Sequence, residues 1–236
     1  MENNKRPLAV CLVSGGLDSC VTAAFAKEEC EVAFVHVNYG QRTQQRELEA
    51  FNKIADYYQV EKRLVVDIGY LKKIGGSALT DTSIDVPQDT LSTNGIPITY
   101  VPFRNAHLIS IATSWAEVIG AQFIYIGATE VDFSGYPDCR RSFFDAMELA
   151  IHEGTRPETN IKIRTPIIHM GKKEVVEAGA RLGAPLELTW SCYKDEDLAC
   201  GRCDSCLLRL KGFKEAGLKD PIPYKADKEN RGETSI

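Results

Sequence analysis

Apolar residues fall along this chain in short unbroken runs, separated by longer amphipathic stretches. Residues 8–13, Leu-Ala-Val-Cys-Leu-Val, carry no charged side chain, the pattern of a strand buried on both faces in a parallel sheet. A helical pattern follows over 18–27, and residues 31–37 repeat the buried-strand pattern. Residues 44–58 predict a helix with a polar outer face and Leu48, Phe51, Ile54 and Ala55 on its inner side. Residues 63–67 read as a third strand. Asn105 is expected to cap a helix whose stripe is Ile109, Ala112, Ala116 and Ile119, with Gly120 ending it. Residues 122–126 read as a fourth strand, 141–152 as a helix, 161–166 as a short fifth strand, and 171–182 as a helix with Lys172 in its first turn. Strands alternating with helices at this spacing predict right-handed βαβ units, hence an α/β fold with a doubly wound, parallel five-stranded sheet. An order 3-2-1-4-5 would make the loops after strands one and four face each other across one crevice. The pattern itself leaves that order open.

Two stretches interrupt the rhythm. Residues 68–99 hold Gly75-Gly76, Thr80-Asp81-Thr82-Ser83 and Ser92-Thr93-Asn94-Gly95. A connection this long is either functional or disordered, and we expect a lid loop over about 69–99, with a disordered surface insertion as the alternative. Residues 127–140 are rich in turn formers, carboxylates and aromatic side chains, and include Cys139. That thiol is either functional or packed and hydrogen-bonded.

Between the first strand and the first helix lies Val13-Ser14-Gly15-Gly16-Leu17-Asp18-Ser19. Adjacent glycines let the backbone turn tightly and admit an incoming group closely. Free N–H groups and the helix dipole at a helix start favour an anion. The stretch is a phosphate cradle, but no Gly-Lys-Ser/Thr follows it and it lacks the GxGxxG spacing. Asp18 is read as a helix cap, with a Mg²⁺ ligand as the other possibility.

Composition adds limits. The chain has 236 residues, 44% hydrophobic and 26% charged, enough for one sizeable core. No apolar run is long enough to span a bilayer, and the N-terminal residues lack the apolar core of a signal peptide. A cytoplasmic location is expected, with no membrane partner. A formal net charge of −5 argues against a broad nucleic-acid footprint. Of the eight cysteines, Cys11, Cys20 and Cys30 fall in or beside predicted core elements. Cys192, Cys200, Cys203 and Cys206 form C-x7-C-x2-C-x2-C, which suits a closed, structural tetrahedral Zn²⁺ site better than an iron–sulfur cluster. His36, His107, His152 and His169 are scattered, with no metal-pair spacing.

The glycine loop resembles that of the ATP pyrophosphatases, the PP-loop superfamily. More specific is the ordered set Ser14-Gly-Gly-Leu-Asp-Ser19, Val101-Pro-Phe-Arg-Asn105, Asp132-Phe-Ser-Gly-Tyr-Pro-Asp-Cys-Arg140, Thr189-Trp-Ser-Cys-Tyr193 and Cys200-Gly-Arg-Cys-Asp-Ser-Cys206. In that order these are similar to the 7-cyano-7-deazaguanine synthases, over about residues 8–221. Phe103 departs from the family pattern, which has a small residue there.

The resemblance implies an adenine nucleotide α-hydrolase-like domain over 1–187, a zinc-binding segment over 188–221 and a tail over 222–236. It implies an ATP-dependent carbon–nitrogen ligase of queuosine precursor synthesis that converts 7-carboxy-7-deazaguanine and ammonia to the nitrile through acyl-adenylate and amide intermediates. Structural Zn²⁺, Mg²⁺ with ATP and a homodimer are implied with it. The ATP-binding stretch is expected to be Val13, Ser14, Gly15, Gly16, Leu17, Asp18, Ser19, Cys20, Val21 and Thr22. Asp18, Ser19, Lys172, Arg104 and Arg140 are the candidate catalytic groups, the two arginines for the substrate carboxylate or the α-phosphate. Lys172 would neutralise phosphate charge, or else be a solvated surface lysine. Glu130, Asp132 and Asp138 are candidates to read the base edge, with Phe133 and Tyr136 stacking on it. The competing readings are another adenylating enzyme on this scaffold, such as a tRNA thiolase, and a non-catalytic ATP sensor.

Overall fold

The computed structural model describes residues 6–89, 95–131 and 135–225. Five parallel strands lie in the order β3-β2-β1-β4-β5: β1 Leu8–Leu12, β2 Glu31–Asn38, β3 Arg63–Asp67, β4 Phe123–Ile126 and β5 Lys162–Arg164. The order reverses between β1 and β4, as the crevice expectation required. Successive β1 side chains take opposite faces, so one strand feeds two cores. Ala9, Cys11 and Val13 pack with α1 (Leu17–Glu29), α2 (Gln44–Tyr57), α6 (Lys172–Arg181) and α7 (Asp204–Glu215). Val10 and Leu12 pack with α3 (Tyr70–Ile74), α4 (Arg104–Ile119) and α5 (Arg141–Gly154). Phe51, Ile54 and Ala55 of the inner α2 stripe and Ile109, Ala112 and Ala116 of the α4 stripe are all buried. Ile119 is only partly so. Cys11, Cys20 and Cys30 are core residues, as expected.

Two local readings are corrected. Asn105 does not cap α4: it is the second helical residue, and Phe103 stands before the helix with φ 58°. The first turn is capped from a distance, because Asp138 Oδ2 accepts the Asn105 N–H at 2.9 Å. The left-handed backbone at Phe103 costs an L side chain about 1–2 kcal/mol. Asp18 makes no cap hydrogen bond either; Gly16 is the N-cap residue of α1.

The described part of the 69–99 stretch is bound to the rest of the molecule. Ser77, Ala78, Leu79 and Thr80 are buried. The Arg42 guanidinium donates to the carbonyls of Ala78, Asp81 and Ile84. Gln88 forms an isolated antiparallel bridge with Cys203. This arm therefore straps the sheet's carboxyl edge to the cysteine segment.

Candidate active site

The glycine loop is shaped by what packs beneath it. Gly15 has φ +89°, and a Cβ there would meet Glu47 O at 2.4 Å and Ala50 Cβ at 3.0 Å. Ser19 donates from its hydroxyl to Gly16 O at 3.0 Å and accepts the Ser14 N–H at 3.2 Å. The Ser14 hydroxyl accepts the Gly16 N–H at 3.2 Å. Leu17, Asp18 and Ser19 present first-turn N–H groups, for which no helical carbonyl lies behind. Behind the turn, Trp190 N–H donates to Gly15 O at 2.8 Å, so the cysteine segment holds the loop directly. The Gly15→Ala variant is expected to lose about 2–4 kcal/mol, from left-handed strain plus overpacking against α2. Urea unfolding checks this, and a loss below about 0.5 kcal/mol would show that the loop relaxes freely.

Lys172 opens α6, and its Nζ donates to both Asp18 oxygens at 2.8 Å. Its side chain is only 13% exposed, which answers the surface-lysine alternative. Close backbone packing puts it there, since a Cβ on Gly212 of α7 would lie 2.6 Å from Lys172 Cγ. Gly127, just past β4, is equally constrained: a Cβ there would meet Asp18 O at 2.8 Å.

Loop, lysine and the β4 side enclose one cavity of about 290 Å³. Val13, Ser14, Gly16, Leu17, Asp18, Ser19 and Lys172 line one part. Tyr39, Glu47, Thr99, Arg104, Asn105, Tyr136, Cys139 and Tyr193 line another. The Arg104 guanidinium donates to Tyr39 Oη at 3.2 Å, and its Nε is buried without a partner among the described residues. Burial works against the Arg104 charge, but Tyr39, Tyr136, Cys139 and Asp138 outweigh it and hold the group protonated. Burial pushes the Tyr39 phenol up to about 12, so it stays a neutral donor. Tyr136 Oη pairs with Thr99 Oγ1 at 2.8 Å. Cys139 accepts the Asn105 amide at 3.4 Å, and burial, then Asp138, raise its thiol to about 11. That is the packed, hydrogen-bonded alternative.

Other expected site residues lie off this wall. Cys20, Val21 and Thr22 are buried inside α1. Arg140 is exposed. Glu130 takes the Arg141 N–H at 3.0 Å and pairs with His169 at 2.9 Å. Asp138 is 2% exposed and turned to the start of α4. Asp132 and Phe133 lie outside the described residues. Two carboxylates on the wall, Glu47 and Asp204, were not foreseen. Their positions give the missing signal: Asp204 opens α7 and Glu47 lies in the first turn of α2.

The four cysteines converge, with all four Sγ atoms within 4.8 Å of one another. Cys200 and Cys206 Sγ are 3.9 Å apart, close to the roughly 3.8 Å edge of a tetrahedron with 2.3 Å Zn–S bonds. Backbone N–H groups of Lys194, Asp195 and Cys200 point at Cys192 Sγ, each at 3.4 Å. Those of Arg202 and Cys203 point at Cys200 Sγ at 3.4 and 3.3 Å. Such donors favour thiolates, and the donor set fits a soft, tetrahedral metal such as zinc.

The family model for "Queuosine biosynthesis protein QueC" matches residues 8–217. The chain belongs to the QueC family. It is 55% identical over 218 residues to the 7-cyano-7-deazaguanine synthase of Nautilia profundicola, covering 92% of this chain and 98% of that protein. With the corresponding synthase of Chlorobium phaeobacteroides it shares 57% identity over 217 residues, covering 92% and 96%. Among solved structures, NMN synthetase from Francisella tularensis superposes with a TM-score of 0.50 at 15% identity, covering 99% of this chain and 80% of that one. That likeness speaks to the fold. Family membership makes the protein an ATP-dependent ligase of queuosine biosynthesis, a 7-cyano-7-deazaguanine synthase. No helix among the described residues is long and apolar enough to cross a membrane.

Proposed function

We propose that the cavity carries out two successive adenylations on one base. A carboxylate oxygen of 7-carboxy-7-deazaguanine attacks the α-phosphorus of ATP, and pyrophosphate leaves. Ammonia adds to the acyl carbon, AMP departs, and an amide and a proton result. The amide oxygen attacks the α-phosphorus of a second ATP and pyrophosphate leaves; loss of AMP and two N–H protons from the adenylated amide then gives the nitrile. The observation that carries this reading is the single cavity in which the glycine loop and Lys172 share a wall with Arg104.

The N–H groups of Leu17, Asp18 and Ser19 and the hydroxyl of Ser14 would hold the leaving phosphates. Lys172, swung from Asp18, would add charge where it develops in the transition state. Arg104 would orient the substrate carboxylate with its guanidinium fork. Cys192, Cys200, Cys203 and Cys206 would hold a structural Zn²⁺ that ties residues 188–221 to the nucleotide domain, 1–187. Mg²⁺ would accompany ATP as counter-charge, and Asp18 and Asp204 are the cavity carboxylates suited to it. The arm at 69–99 would roof the base through Pro97 and Thr99. A homodimer in the cytosol completes the reading.

The test is incubation with ATP, Mg²⁺, ammonia and 7-carboxy-7-deazaguanine. We expect two pyrophosphates and two AMP per nitrile, with product mass confirming the last step. The absence of both pyrophosphate and a mass change would sink the reading, and a stalled amide would sink its second adenylation.

A further inference from the structure

We propose that Glu47 reads the base: its carboxylate accepts the two adjacent N–H donors, N1–H and the 2-amino group, of a guanine-type edge. This rests on the reaction proposed above and names a specificity-determining residue for it.

Glu47 sits in the first turn of α2, behind the glycine loop, and lines the cavity. Each of its oxygens is already oriented by one donor. Thr43 Oγ1–H gives to Oε1 at 2.8 Å and the Gln41 amide gives to Oε2 at 3.1 Å. Gln41 is itself fixed, since its amide oxygen accepts the Tyr39 N–H at 2.9 Å. A carboxylate held this way is an acceptor with one lone-pair side left on each oxygen. Two parallel N–H donors on one planar edge match that arrangement. Adenine does not, because its amino group adjoins a ring nitrogen whose lone pair would face carboxylate oxygen. The Arg104 and Tyr39 pair lies within electrostatic reach of Glu47, which places the residue beside the acceptor wall. Burial outweighs the Thr43, Gln41 and Arg104 contributions and raises the Glu47 carboxyl to about 7, so further N–H donors would favour its charged form.

The other candidate carboxylates are committed or displaced. Asp18 holds Lys172. Glu130 and Asp138 lie off the wall. Asp204 also lines the wall, and its Oδ1 is buried without a hydrogen-bond partner among the described residues, but it is the carboxylate that the reaction above assigns, with Asp18, to Mg²⁺.

The test compares the natural base with its analogue lacking the 2-amino group. The wild-type enzyme is expected to prefer the natural base by about 100-fold in kcat/KM, the scale of a hydrogen bond to a charged acceptor. In Glu47→Gln the preference is expected to fall below about threefold, with KM for ATP and for ammonia unchanged, because the amide now points a donor at a donor. Thr43→Val, which keeps the carboxylate but frees Oε1, is expected to lose between about two- and tenfold of the preference. Either variant retaining the full wild-type preference overturns the assignment. So does a Glu47→Gln defect confined to ATP or to ammonia. Turnover of the natural base by the wild-type enzyme is read separately, so failure of the reaction itself is distinguishable from failure of this assignment.

Discussion

Lys172→Met is expected to lower the rate of pyrophosphate release by about 10³-fold, with a smaller rise in KM for ATP. The magnitude is that of removing one positioned charge from a phosphoryl or acyl transition state in a partly dry site. Two consequences of the geometry combine. The ammonium that would meet the leaving phosphates is gone. Asp18, which that ammonium grips through both oxygens at 2.8 Å, is left as an uncompensated anion facing the phosphate loop. Asp18→Asn should therefore recover part of the loss in the Lys172→Met background, while being harmful alone. Such non-additivity marks a coupled pair. Single-turnover measurement of pyrophosphate is the check, and a Lys172→Met rate within tenfold of wild type would remove Lys172 from the chemistry. The fold should tolerate the change, since methionine keeps the buried stem that packs against Gly212.

A pH dependence accompanies the Glu47 assignment. Its folded carboxyl titrates near 7, above the ordinary carboxylate range, because burial outweighs the Thr43, Gln41 and Arg104 contributions. Below that pH the group is protonated and offers a donor where an acceptor is needed. Base affinity is therefore expected to rise as pH increases through about 7, and the corresponding limb should be absent in Glu47→Gln.

Elements with their own hydrophobic period were legible in the sequence. The buried run of β1 and the stripes of α2 and α4 announce themselves because one face of each must be apolar. The glycine loop and the cysteine spacing were legible for a different reason: each is local, and its chemistry needs adjacent residues. What was not legible depends on contacts remote in sequence. Asp138 reads as a base-binding carboxylate in a polar loop, yet it caps α4 across 33 positions. Asn105 reads as an N-cap, but Asp138 and the left-handed Phe103 take over the helix start. Glu47 was hidden because periodicity assigns it to the polar face of α2, and polar faces are ordinarily wet. Only the sheet order puts that first turn behind the glycine loop. Gly127 and Gly212 carry no local signal either; each is small because another backbone or side chain passes within 3 Å of its missing Cβ.

Removing the metal from the four-cysteine site is expected to disable ATP use as well as unfold the C-terminal segment. Structural zinc sites bind with about 10–16 kcal/mol near neutral pH, comparable to the whole stability of a domain, about 5–15 kcal/mol. Apart from the metal, residues 188–225 are held by α7 packing on α6, by a small cluster in which Trp190, Ile222 and Tyr224 meet Ala50, Ala78 and Val86, and by the buried Arg209–Asp220 pair, 2.8 Å apart, which binds the segment internally; the four cysteines tie these contacts together. Arg209 also donates to Thr189 and Ser191, on the strand of chain that leads to Cys192. Losing the clamp thus frees the same segment that supplies Trp190 N–H to Gly15 O. It also frees Gly212, against which Lys172 is wedged. Cys203→Ser should therefore lower the thermal midpoint by at least about 10 °C, abolish stoichiometric metal, and raise KM for ATP although no cysteine of the cluster is a phosphate contact. The metal content, melting curve and ATP dependence of one preparation decide it. A metal-free protein with unaltered ATP kinetics would mean that the glycine loop holds its shape without the cysteine segment behind it.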